Sequence, residues 1–423
     1  MTVKSDFLEL FTPWHDSCKY IKILRYERMM EALSTIIWKD TAKNIKDQVI
    51  KWRRYLHQHP ELSFHEVETA HFVYETLNSF GNLQLSRPTQ NSVMARLIGN
   101  QPGKVLAIRA DMDALPITEE NTFDFVSQND GVMHACGHDG HTAMLLGIAK
   151  VLSGMKDKIK GEVRFLFQHA EELFPGGAEE MVEARVMEGV DFVIGAHLWS
   201  PLEVGKVGLV FGPMNAASDT FWITIEGKGG HAALPQDTID SIAIGSQVVT
   251  NLQQVVSRNT DPLESVVLSV TKFNGGTAHN VIPGSVEICG TVRTFDSELR
   301  KDIPVLMERV VNGITLAHGA SYTFNYEYGY RAVINDQEVT QILKETVLET
   351  FGEEALAMIK PDMGGDDFSA FQQKAPGCYY YIGAGNEEKG IIYPHHHPKF
   401  TIDEDSLEQG VELVVQAVFK FLT

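Results

Sequence analysis

Cysteine is scarce in this chain. Four residues (Cys18, Cys136, Cys289 and Cys378) are spread over 423 positions, which excludes a disulfide framework and fits a reducing, cytoplasmic setting. Long apolar runs are missing too, and none approaches the ~20 residues of a membrane span. The segment from Met1 to Leu10 has no basic stretch followed by an apolar core, so no secretory signal is expected. Basic residues are outnumbered, 36 Lys and Arg against 56 Asp and Glu, for a formal net charge of −20. That balance excludes nucleic acid and anionic membrane as expected partners, since both select basic surfaces. Internal repeats and low-complexity tracts are also absent.

What is present is an ordinary globular composition, 43% hydrophobic and 22% charged, long enough for two domains and a large core. The first 30 residues or so show a loose helical pattern and no motif, and Met29-Met30 offers a later start; residues 1–43 read as an N-terminal extension. From Lys43 to Leu56 the apolar residues Ile45, Val49, Trp52 and Leu56 recur at helical spacing. A second helix is expected over His65–Phe80, stopped by Gly81 at its C′ position. Strand–loop–helix units follow. Val105–Arg109 leads to Asp111 and Asp113, Val163–Phe167 to Glu171-Glu172, and Phe192–Gly195 to His197, with helical patterns at Thr142–Leu152 and Gly177–Ala184 between them. This alternation implies an α/β fold with a mostly parallel mixed sheet flanked by helices. Such sheets place ligand sites at the carboxyl ends of their strands. Asp111, Asp113, Cys136, His138, Glu171, Glu172 and His197 are therefore expected to converge on one rim.

Over 216–328 the pattern changes to strand (Thr220–Glu226), helix (Ser241–Val256), strand (Val266–Phe273), strand (Val286–Thr294), helix (Leu299–His318) and strand (Tyr322–Tyr328). That βαββαβ order predicts a ferredoxin-like second domain inserted into the first, which spans 44–215 and 329–423. Beyond it come a helix (Glu338–Phe351), a Gly/Asp loop (Met363–Phe368), a short strand (Cys378–Ile382), a His-rich loop and a closing helix (Ser406–Phe421).

The densest chemistry is His134-Ala-Cys-Gly-His-Asp-Gly-His141, a thiol and three imidazoles within eight residues before an apolar helix. Sulfur, imidazole and nearby carboxylate suit a transition metal such as zinc or manganese better than magnesium or calcium. The positive end of the helix dipole favours the thiolate that a metal needs. A Gly-rich turn with surface histidines is the alternative. In Glu171-Glu172 one carboxylate can hold metal while the other serves as base toward water; a solvated acidic turn is the competing reading. His197 alone fits a satisfied core histidine, and His395-His396-His397 a surface tract. Asp111 and Asp113 would face one way on a continuing strand, as supports for ligating histidines or as a capped strand end. In the inserted segment, His231 sits on a Gly-rich turn, Asn280 offers amide donors and Arg293 a fork suited to a carboxylate.

Taken in order, His57-Gln-His-Pro-Glu-Leu62, Arg109-Ala-Asp-Met-Asp-Ala-Leu-Pro116, Met133–Thr142, Gln168-His-Ala-Glu-Glu172, Gly195-Ala-His197, Gly230-His-Ala-Ala-Leu-Pro235, His279–Gly284 and His396-His-Pro398 resemble the two-metal aminoacylase/carboxypeptidase metallohydrolases. The branch most similar holds hippurate hydrolases, N-acyl-L-amino acid amidohydrolases and indoleacetyl-amino-acid hydrolases. The resemblance runs from about Trp52 to the C-terminus. It implies two divalent ions per subunit (manganese or zinc, with cobalt or nickel able to substitute in vitro), held by Cys136, His138, Glu172, His197 and His396. His396 is matched because it stands two before Pro398, with His395 and His397 as neighbouring alternatives. The resemblance further implies Glu171 as general base, His231 reaching the reaction centre from a partner subunit, Asn280 beside it, and Arg293 on the substrate carboxylate. The expected substrate is an N-acyl-L-amino acid or small dipeptide, and the expected assembly a homodimer or tetramer with the inserted segment as lid and dimerisation domain. Two other classes stay open on the residues alone: a cysteine hydrolase with Cys136 as nucleophile, and a non-catalytic metal- or ligand-binding protein, for which the Glu171-Glu172 pair would be superfluous.

Overall fold

The computed structural model describes residues 41–422. Cys18 and nearly all of the expected N-terminal extension lie outside the described residues. The chain is helical over 41–58 and then builds an eight-stranded sheet. Its spatial order is Gln84–Ser86, Val93–Ile98, Lys160–Gln168, Gln101–Asp111, Phe192–Glu203, Gly377–Gly385, Val207–Leu209 and Leu356–Met358. Its centre is parallel, with Gln101–Asp111 between Lys160–Gln168 and Phe192–Glu203, and Gly377–Gly385 beyond them. Antiparallel pairs lie toward the flanks.

The central strands are almost wholly buried, as strands covered on both faces must be. Their period of two divides side chains between two cores. Leu106, Ile108, Phe165, Ile194, Tyr380 and Ile382 pack under the helices 41–58, Val67–Asn78, His138–Ser153, Gln337–Phe351 and Asp405–Phe421. Ala107, Leu166, Val193, Tyr379 and Tyr381 pack on the other face with Gly177–Glu183 and Ser369–Gln372. Helix His138–Ser153 is the most enclosed, with only Lys150 outside its buried set. Gly147 lets it approach closely, since a Cβ there would meet Val49 at 2.7 Å and Val411 at 3.1 Å.

Residues Ala217–Glu327 form a separate antiparallel sheet in the order Val266–Gly275, Ser285–Thr294, Ala217–Glu226 and Ser321–Glu327. Helices Ser241–Asn259 and Ser297–His318 cover one face, burying Ile244, Val248, Leu252, Ile303, Met307 and Val311. Asp240 and Asp296 start these helices by accepting two backbone N–H groups each. The expected βαββαβ order is what forms.

Some boundaries differ from expectation. Helix His138–Ser153 starts four residues before Thr142, so His138 opens the helix instead of preceding it. Gly137 (φ 96°) makes the left-handed entry, and tertiary bonds to the strand end at Asp111–Asp113 hold a first turn of poor intrinsic propensity. The strand expected at Phe192–Gly195 continues to Glu203, and His197 lies inside it, paired with Tyr381. Helix Val67–Asn78 is shorter than His65–Phe80, and Ser79, not Gly81, caps it. The short strands such as Val207–Leu209 and Leu356–Met358 carry too little periodicity to read. Among the described residues, no helix is long and apolar enough to cross a membrane.

Candidate metal centre

Hydrogen bonding sorts the histidines by which ring nitrogen is left free. His138 Nδ1 lies 3.0 Å from the Asp113 carbonyl and 3.1 Å from Asp113 Oδ1. Both only accept, so Nδ1 carries the proton, and the buried Nε2 has no hydrogen-bond partner. His197 Nδ1 lies 2.9 Å from the Leu198 carbonyl, which turns Nε2 toward Cys136 Sγ at 3.5 Å. His141 is spent on structure: Nδ1 is 2.6 Å from Asp111 Oδ1, and Nε2 accepts the Leu198 N–H at 2.8 Å.

The same logic separates the triple histidine. His395 Nε2 accepts the Ser200 N–H at 3.2 Å, so its protonated Nδ1 faces Cys136 Sγ at 3.8 Å and has no lone pair to give. His397 Nδ1 accepts the Lys399 N–H, and its ring stacks on Tyr393. His396 points Nε2 at Glu172 Oε1, 3.1 Å away. Its positive φ of 64° is a conformation a non-glycine residue adopts only when its surroundings hold it there. Ala170, with φ 49°, makes a similar turn just before Glu171.

Donor atoms of Cys136, His138 and Glu172 lie within 4.8 Å of one another, as do those of Cys136, His197 and His395. His138 Nε2 is buried without a hydrogen-bond partner, and the buried Glu172 Oε1 has only ion-pair contacts, with His396 at 3.1 Å and His138 at 3.9 Å. Buried polar atoms left this way are rare unless something else satisfies them, and the available donor set of thiolate, imidazole and carboxylate fits a divalent transition metal. Electrostatics agrees. Burial, then Glu172, Glu171 and Asp111, pushes the Cys136 thiol well above its usual range, so only a cation would draw out its thiolate. That environment opposes a free cysteine nucleophile, which needs electropositive surroundings. Burial, followed by His141 and His395, keeps His197 neutral, the form that ligates. Burial lowers His138, but Asp111 and Asp113 outweigh it and raise the group to about 10, a charge a bound cation would displace.

Glu171 belongs to a second, acidic group. Its carboxylate lies within 4.8 Å of those of Asp366 and Asp367, all three buried. Burial, then Asp366, Glu172 and Asp367, raises it well above the usual carboxylate range. The Arg109 guanidinium opposes that shift; it bonds Asp111 at 2.7 Å, Asp367 at 3.0 Å, Asp366 at 3.2 Å and Gln168 at 2.7 Å. The sequence reading gave no role to Asp366, Asp367, Arg109 or Tyr330, whose hydroxyl donates to the Glu171 carbonyl at 2.8 Å. An acid pair between Gly-Gly and Phe368 was the available signal, by the logic already applied to Glu171-Glu172.

A cleft of about 450 Å³ opens over these groups, between Cys136, Glu171 and His197 on one side and Arg293, Ser218 and Tyr330 on the other. Arg293 hydrogen-bonds the Thr291 hydroxyl and lies 3.3 Å from the Val292 carbonyl. His231 and Asn280 are not brought to this cleft within the chain. They sit together on an exposed ribbon, where Gly230–His231 pairs with Val281–Ile282 and the Ala232 N–H donates to the Asn280 carbonyl.

Comparison with known proteins agrees with this geometry. Residues 107–420 match peptidase family M20/M25/M40. An N-acyl-L-amino acid amidohydrolase of Geobacillus stearothermophilus is 71% identical over 300 residues, covering 71% of this chain and 81% of that one. Thermostable carboxypeptidase 2 of Saccharolobus solfataricus is 42% identical over 392 residues, covering 90% and 98%. A dinuclear metal-binding M20 peptidase of Bacillus subtilis superposes with a TM-score of 0.79 at 36% identity, covering 90% and 99%. The chain belongs to peptidase family M20/M25/M40 and is a metal-dependent amidohydrolase.

Proposed function

We propose that this protein hydrolyses the amide bond of N-acyl-L-amino acids, with small dipeptides as secondary substrates. The observation that carries the reading is the meeting, in one cleft, of the cluster of Cys136, His138, Glu172, His197 and His396 with a base, Glu171, and a cation, Arg293. The cleft's volume of about 450 Å³ suits a small molecule. High identity to an amidohydrolase supports N-acyl amino acids over longer peptides.

Cys136, His138, Glu172, His197 and His396 would hold two divalent ions, manganese or zinc, with cobalt or nickel as substitutes in vitro. Such ions, when bound, activate water as a nucleophile and polarise the scissile carbonyl. Arg293 takes the substrate carboxylate in a forked, charge-assisted pair. Glu171 accepts the proton of the attacking water and passes it to the leaving amine. Asp113 fixes the tautomer of His138, and the Leu198 carbonyl that of His197.

Residues 216–328 serve in this reading as lid and dimerisation domain, with His231 and Asn280 completing the site of a partner subunit. Their separation from the cleft within one chain supports this, as do the exposed apolar side chains Leu234, Ile242, Phe273 and Val281 on the same unit. Among the described residues the thiols Cys136, Cys289 and Cys378 are all free of disulfides, which supports a cytoplasmic location.

Chelation should abolish hydrolysis across a panel of N-acetyl, N-benzoyl and dipeptide substrates, and manganese or zinc should restore it. Activity that survives complete metal removal would point to a cysteine hydrolase. The cross-subunit role has its own test. Inactive His231→Ala and Glu171→Gln proteins, mixed under subunit exchange, should recover about a quarter of wild-type activity, since half the dimers are mixed and one of their two sites is intact. No recovery, with exchange confirmed by tag pull-down, would remove His231 from the partner's site.

A further inference from the structure

The His57-Gln-His-Pro-Glu-Leu62 motif has no part in the chemistry above, yet His57 is fully buried. Its Nδ1 lies 2.8 Å from Asp139 Oδ2 and its Nε2 lies 3.1 Å from Glu119 Oε1. Asp139 follows His138 directly. Its Oδ2 also accepts Arg53 Nε at 2.8 Å, and Arg53 reaches Glu404 at 3.2 Å and Thr401 at 3.4 Å, just beyond the His396 loop. Glu119 accepts the Ser127 N–H at 2.6 Å and Asn121 Nδ2 at 2.9 Å. The loop so held donates back to the His396 segment: Glu120 N–H to the Pro398 carbonyl at 2.9 Å, and Asn121 Nδ2 to the Phe400 carbonyl at 3.0 Å.

These bonds close a ring. One arm runs from Asp139 through His57 and Glu119 to Pro398, by way of Glu120, and to Phe400, by way of Asn121; the other runs through Arg53 to Thr401 and Glu404. Phe123 and Phe125 stack on each other at 4.0 Å and pack edge-on against His57, while Phe125 also lies under Arg53. Water is thereby kept from charged bonds that gain strength in a low dielectric. The ring braces a direct contact between the same two segments, the His396 N–H donating to the Ala135 carbonyl at 2.8 Å. Charged, buried and closed, the ring has more than a local cap to secure. Glu61 of the same motif shows the contrast: its carboxylate accepts the Glu68 and Thr69 N–H groups and only starts a helix.

We propose that His57, Glu119 and Asn121 are positioning residues that lock the His138 turn to the His396 loop, so that the ligand set is preassembled before metal arrives. The proposal rests on the reading of His138 and His396 as ligands. Calorimetric titration of metal-free, full-length protein with zinc, and separately with manganese, tests it. His57→Asn, Glu119→Gln and Asn121→Ala should each weaken the lower-affinity metal equivalent by about 10–100-fold, the usual cost of losing a support behind a ligand. Glu61→Gln should leave both equivalents within about twofold of wild type. Thermal melts of the metal-free proteins separate affinity from folding, and Asn121→Ala and Glu119→Gln carry the test if His57→Asn does not fold. Wild-type affinities in those two variants would overturn the proposal, as would affinity losses no larger than those of Glu61→Gln at a matched drop in melting temperature. His396→Ala distinguishes the two failures. If it keeps both equivalents, the ligand reading falls and this inference with it; if it loses one while the ring variants lose none, only this inference falls.

Discussion

A Glu171→Gln enzyme should keep its full complement of metal and lose at least about 10²–10⁴-fold in kcat, the range of general-base effects. The substitution preserves size and hydrogen-bonding capacity but removes the only property the role needs, the ability to take a proton. Little else should move. Glu171 is placed by its backbone, with its carbonyl held by the Tyr330 hydroxyl at 2.8 Å and the turn before it anchored where the Ala170 N–H donates to Glu66 at 2.6 Å. Its carboxylate lies within 4.8 Å of those of Asp366 and Asp367, a group separate from that of Cys136, His138 and Glu172. KM should therefore change far less than kcat, the pattern of an interaction used in the transition state. Neutralising one of three crowded carboxylates also relieves like-charge repulsion, so the variant should melt no lower than wild type. Near-wild-type turnover with intact metal would exclude Glu171 as the base.

The adjacency of Glu171 and Glu172 gives the two carboxylates separate tasks. A strand that ends at Gln168 and turns through Ala170 sends the Glu171 side chain toward the Arg109 cluster and that of Glu172 toward Cys136 and His138. One faces Cys136, His138 and His396. The other sits among acids that raise its proton affinity. Pairs of titratable groups whose surroundings differ in this way are how a site divides ligation from proton transfer.

Much of this was legible in the chain itself. The apolar runs Val105–Arg109, Val163–Phe167 and Phe192–Gly195, set between helical patterns, were enough to read the central strands and the α/β class. The polar residues at those strand ends were expected on one rim; Cys136, His138, Glu172 and His197 do come together, with His197 inside its strand and not after it. The inserted βαββαβ unit was equally plain, because its helices bury one face at helical spacing. What stayed hidden depends on contacts distant in sequence. Arg109 meets Asp366 and Asp367 across more than 250 positions, so neither acid announces its role locally. The choice among His395, His396 and His397 turns on the Ser200 N–H, which occupies the lone pair His395 would need. The start of the metal-loop helix was misplaced for the same reason, since Asp113 and the Asp111 carbonyl stabilise a turn whose own residues disfavour it.

The central claim is that Cys136, His138, Glu172, His197 and His396 form one dinuclear centre. Metal content of Cys136→Ser protein, purified beside wild type and assayed by elemental analysis, tests it most directly. Oxygen replaces sulfur at nearly constant shape, so the fold should persist while the softest donor is lost. Wild type should carry two equivalents per chain, and Cys136→Ser should lose at least one together with most of its activity. Full occupancy in the variant would contradict the assignment.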